Sequence, residues 1–91
     1  MPSVMDIIRL RDKFTKLSPN LRNQIFSDTI AWLDTEMKPQ VSTQELQAIE
    51  QFEKEIQQVM NLEIIESAWY SDLSNKYSKY SFFYRFIKRV L

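Results

Sequence analysis

Apolar residues recur along this chain at steps of three and four, the spacing of one face of an α-helix. The clearest stretch runs from Val41 to about Ile65, where Leu46, Ile49, Phe52, Ile56, Val59 and Met60 trace one stripe. Ser42 and Glu45 are spaced as a capping box, and Val41 and Leu46 as a hydrophobic staple, so a helix is expected to begin at Thr43. Leu62, Ile65, Trp69 and Leu73 continue a helical spacing on a rotated face. With no Gly or Pro to stop it, the pattern favours one bent helix from Thr43 to about Asn75 over a break between 61 and 67.

Two further helices are expected upstream. Ser3 can cap the first, with Val4, Ile7, Ile8, Arg11, Phe14 and Leu17 along its inner face. Ser18-Pro19 closes it and opens the second, because proline disfavours helix before itself and suits a first helical position. That second helix runs to about Met37. It has Leu21, Ile25, Thr29 and Trp32 on one face and Phe26, Ile30, Leu33 and Met37 on its neighbour; Lys38-Pro39 then ends it. Downstream, Ser74–Ser81 is polar and reads as a hinge or frayed turn. Ser81 is placed to cap a last helix, with Phe82, Phe83, Phe86, Ile87 and Val90 on one side and Arg85, Lys88 and Arg89 on the other. The expected fold is one all-α domain over residues 1–91, a small antiparallel bundle of four helices, or five if the long one breaks.

Composition narrows the chemistry. The 91 residues include no Cys, no His and no Gly. Thiolate chemistry, the commonest general base and the commonest transition-metal ligand are missing, and so are glycine-rich phosphate loops. Six Phe, four Tyr and two Trp let a small domain bury much area without disulfides. Net charge is zero but segregated: residues 1–22 carry +3, residues 23–72 carry −8 and residues 73–91 carry +5. The ends are expected to fold back onto the acidic middle, leaving any excess to steer a partner. Asp6, Arg9 and Arg11 interrupt the first apolar residues before a secretory core forms, and no run is long enough to span a membrane, so a cytoplasmic protein is expected.

Candidate sites are few. Glu50, Glu53, Glu63 and Glu66 sit at helical spacings, but without His they lack the helix-bundle metal pattern and read as a solvated acidic face. No metal or cofactor is expected. Trp32 and Trp69 read as core fillers. The seam Ile49–Phe52–Ile56–Val59 suits either an internal core or a homodimer contact, and with the wide apolar arc of the second helix it favours a homodimer. The most unusual stretch is the aromatic and basic C-terminal run, from which Lys76, Lys79, Tyr80, Tyr84, Arg85, Lys88 and Arg89 are the candidate partner-binding residues. The reading is a non-enzymatic protein-interaction module, a small regulator, adaptor or inhibitor. The alternative is a small nucleic-acid-binding transcriptional regulator that uses the same segment.

Overall fold

A computed structural model of the chain describes residues 4–91. Among them are six α-helices and no strand: α1 (Val4–Lys16), α2 (Pro19–Trp32), α3 (Thr43–Met60), α4 (Glu66–Ser71), α5 (Leu73–Lys79) and α6 (Phe83–Val90). A π-helical turn, Leu33–Met37, and a 3-10 turn, Lys38–Gln40, continue α2 towards α3. The all-helical expectation holds. The count exceeds four or five because the chain breaks twice between α3 and α5.

α2 and α3 begin where local chemistry dictates. The expected cap at Ser3 lies outside the described residues. Ser18 is extended (φ −65°, ψ 156°), its hydroxyl accepts from the Leu21 N–H at 3.3 Å, and Pro19 takes the first position of α2. Arg22 reaches back to the end of α1, where its Nη1 donates to the carbonyls of Leu17 (2.6 Å) and Phe14 (3.2 Å). Such carbonyls have no partner within their own helix. The buried face of α1 centres on Leu10 and Phe14, whereas Val4 and Arg11 are exposed. Leu10 was missing from the expected stripe, although Ile7, Leu10, Phe14 and Leu17 form the tighter 3-4-3 row.

Ser42 caps α3 as expected, accepting from the Glu45 N–H at 3.3 Å. The expected long helix is wrong: α3 stops at Met60. Leu62 adopts a left-handed φ of 62°, its N–H bonds to the Val59 carbonyl, and the Glu63 N–H bonds to the Gln58 carbonyl at 2.8 Å. This pair of bonds is a Schellman stop, normally built with Gly or Asn at the left-handed position. Here a leucine occupies it, 84% exposed and packed on little. The break lets the apolar face rotate, so Trp69 and Leu73 point inward while Ile65 stays 73% exposed.

Two other expectations fail in the same region. Residues 73–79 are helical, not a hinge, because Leu73, Lys76 and the following Tyr80 bury one side of α5. Ser81 does not cap α6. Phe82 holds that position with no side-chain bond, and the turn closes through backbone bonds to the Tyr80 and Phe82 carbonyls.

Packing is aromatic. Phe52 of α3 meets the rings of Trp69, Tyr80, Phe82, Phe83 and Phe86 at centroid distances of 5.3–6.4 Å. A second row joins it: Tyr70 to Phe14 (5.9 Å), Phe14 to Phe26 (5.3 Å), and Phe26 to Trp69 (5.5 Å). The apolar seam of α3 is fully buried in this chain's own core, with α2 beside α3 and α1 against α5 and α6. That seam is therefore not a free surface for a second copy.

The two ends of α3 predict opposite responses. Ser42→Ala should lower stability by about 1 kcal/mol through the lost cap. Leu62→Gly should raise it by about 0.5–1 kcal/mol, since relief of the left-handed conformation exceeds glycine's entropy in the unfolded chain. Urea midpoints measure both, and a Leu62→Gly protein less stable than wild type would contradict the strained stop.

Candidate functional site

The structure divides the candidate residues into an inner and an outer group. The inner group converges on Glu55, whose carboxylate accepts from the Tyr80 hydroxyl at 2.9 Å and from the Lys76 ammonium at 3.1 Å. Asp72 lies 3.6 Å from the same ammonium, which also sits 5.5 Å from the centre of the Trp69 ring. Lys76 is only 7% exposed and Tyr80 is buried, so both face the interior. Burial, and donation to Glu55, push the Tyr80 hydroxyl well above the usual tyrosine value. Lys79 is exposed, 4.0 Å from Glu55 and over the Tyr80 ring at 5.2 Å. These contacts fasten α5 to α3.

The outer group lies on α6. Its inner side is fixed by Phe83, Phe86, Ile87 and Val90, all buried, which turns Arg85, Lys88 and Arg89 to solvent. The Arg89 guanidinium stacks over Trp32 at 5.3 Å and the Lys88 ammonium over Tyr84 at 5.3 Å, while an Arg85 nitrogen lies 3.7 Å from the Met37 sulfur. None of the three forms a close ion pair with a carboxylate among the described residues, although Asp6 acts on Lys88 from longer range; Arg9, Arg22, Lys38, Lys76 and Lys79 all form one.

Residues from elsewhere complete this face. An open cleft of about 620 Å³ separates α6 from the π turn, lined by Trp32, Glu36, Met37, Tyr84, Arg85 and Lys88 among others. Arg9 of α1 shares a second depression with Tyr84 and Lys88, and Lys13 shares a third with Arg89. The Lys13 ammonium also donates to the Val90 carbonyl at the end of α6. The two basic ends of the sequence therefore meet on one surface. Trp32, read from sequence as core, is half-buried and belongs to this surface. The segregated charge was the one sequence signal for the α1 contribution.

The expected solvated carboxylate face is also corrected. Glu50 and Glu63 are exposed, but Glu66 lies 3.0 Å from Arg22 Nε and Glu53 is only 8% exposed. Lys38 bridges Glu53 and Asp34 at 2.7 Å each, joining α3 to the end of the π turn. Burial, then hydrogen bonding with Asp34, pushes Glu53 up to about 7. Asp34 is held below its ordinary value, first by that hydrogen bond and then by Lys38. Among the described residues no three carboxylates gather as a metal site, and no helix is long and apolar enough to cross a membrane.

No protein-family model, curated protein or solved structure matches this chain.

The Glu53 cluster predicts a pH dependence of stability. The folded chain holds a proton on Glu53 more tightly than the unfolded chain does. That contribution is complete below the ordinary value of 4.5 and is lost as pH rises through about 7. Asp34 acts in a separate window, since its contribution fades only as pH falls below its ordinary 3.8. Wild-type stability should therefore fall between about pH 5 and 8 relative to Glu53→Gln, which has no such proton to lose. Parallel curves for the two proteins would remove the cluster as the cause.

Proposed function

We propose that this chain is a non-enzymatic interaction module, a small regulator, adaptor or inhibitor that occupies the surface of a partner protein. The outer side of α6 is the docking face, and the partner presents acidic residues to it. The observation that carries this reading is the row Arg85, Lys88 and Arg89: exposed, adjacent and in no close ion pair with a carboxylate among the described residues, Asp6 acting on Lys88 only from longer range, on a helix whose other side is locked into the core. Unpaired charge on a fixed platform steers association and selects partners by complementarity.

Two features favour protein over nucleic acid. Single-stranded nucleic acid needs bare rings for base stacking. Here all six Phe and Tyr80 are buried, so on this face just Trp32 and Tyr84 are even partly open. Each of the three depressions around α6 also contains a carboxylate, Glu36, Asp28 or Asp6, which would repel a phosphate backbone. Mixed charge of this kind suits a protein surface with both signs to match.

Reversing Arg85, Lys88 and Arg89 together to Glu should cost about 1–3 kcal/mol of stability, through two lost cation–π contacts and acids placed in the last turn of α6, so binding is compared where both proteins are folded. The same change should abolish retention of the partner protein from the native host. Wild type should show no binding to a generic oligonucleotide near physiological salt. Tight binding with a salt slope of roughly −0.7 to −0.9 per phosphate contact would replace this reading with the nucleic-acid one.

A further inference from the structure

We infer that the cleft between the π turn and α6 takes a short acidic segment of the partner that carries one large apolar side chain, and that Arg89 and Lys88 are removable covers over the rings that receive it. This rests on the reading of α6 as a protein-docking face and adds what kind of segment docks there.

The chemistry follows from the lining. Trp32, Met37 and Tyr84 supply apolar and aromatic surface, while Arg85 and Lys88 stand on the rim. Trp, Tyr and Arg are the residue types that dominate binding energy at interfaces when they lie together in a desolvated pocket. In the free protein two of these rings are covered: Arg89 over Trp32 and Lys88 over Tyr84, each at 5.3 Å. An exposed cation–π contact stabilises by only about 0.5–1 kcal/mol, so a carboxylate brought within reach competes for the cation. Once drawn aside, the cation pairs with the incoming acid and the ring is left to the apolar side chain. An acidic segment without such a side chain removes the covers but leaves nothing on the rings. An apolar segment without acids leaves them covered. Both parts are therefore required, and the acids of the segment lie towards Arg85 and Lys88, since Glu36 in the same cleft would repel them.

The local geometry supports a receptive cleft on this side. The π turn, Leu33–Met37, closes with the Lys38 N–H bonded to the Leu33 carbonyl, and is held from behind by the Lys38 bridge to Asp34 and Glu53. π turns place side chains off the ordinary helical register, and are frequent at functional sites. Here the turn buries Leu33 and Met37 and leaves Glu36 at the cleft.

The test uses two synthetic dodecapeptides and the indole N–H signals of the intact protein by NMR, assigned with Trp32→Phe. One peptide has Asp and Glu flanking a central Phe; the other has Ser in place of Phe. The Phe peptide should bind, shift the Trp32 indole signal and leave that of buried Trp69 in place. The Ser peptide should bind at least about tenfold more weakly, the range expected for losing one apolar anchor. Arg85→Glu, at an exposed position, should weaken the Phe peptide by about tenfold or more, as when a charge facing a partner is reversed. Equal binding of the two peptides with no Trp32 shift would overturn the cleft while leaving the basic face as a docking surface. Binding of neither peptide, with or without binding of a dT20 oligonucleotide, would overturn the cleft and the protein-docking reading together.

Discussion

Everything in this fold leans on Phe52. It stands in the middle of α3 and meets five rings contributed by α4, α6 and the turn between α5 and α6. A 91-residue chain without disulfides has few ways to define a single packing. Edge-to-face ring contacts are directional as well as apolar, contributing about 0.5–1.5 kcal/mol each beyond area burial. With α4, α5 and α6 only six, seven and eight residues long, none would be a stable helix by itself. α4 and α6 are helical because their rings find Phe52 and, through Trp69, the second row that runs to Phe26 and Phe14, and α5 because Leu73, Lys76 and the following Tyr80 are buried on one side of it.

Electrostatics then finishes what ring packing begins. Arg22 ties the end of α1 to Glu66 at the start of α4, Lys38 ties the π turn to Glu53 of α3, and Lys76 ties α5 to Glu55. Each clamp is partly buried, where losing one partner leaves an uncompensated charge. Basic residues near both ends thus neutralise the acidic middle, as the charge layout implied. Arg85, Lys88 and Arg89 of α6 form no ion pair with a carboxylate among the described residues, and the proposed docking face is placed on them.

Legibility in the sequence followed how local each signal was. The boundaries at Ser18-Pro19 and Ser42-Glu45 depend on neighbouring residues alone, and they were readable; Lys38-Pro39 was not the expected stop, since α2 ends at Trp32 and a π turn and a 3-10 turn carry the chain through it. So was the division of α6 into a Phe side and a basic side. The stop at Leu62 was not readable, because a leucine in the left-handed region carries no composition cue. Helix α5 was hidden because its buried face includes Lys76, whose partner Glu55 is on another helix. Glu53 looked solvated for the same reason, and Trp32 looked internal because its cation arrives from α6. The meeting of Arg9 and Lys13 with α6 depends on α1 packing against it, a three-dimensional fact with no local trace.

The central claim is that α6 is a rigid platform, anchored by its rings so that its cations are held in place for a partner. Native-state amide hydrogen exchange tests this directly, because it separates local opening from global unfolding. The Phe86 and Ile87 amides should be protected as strongly as those around Phe52 in α3, and should respond to denaturant as a single unit with them. Exchange of the α6 amides through a separate low-energy opening, while α3 stays protected, would contradict the account.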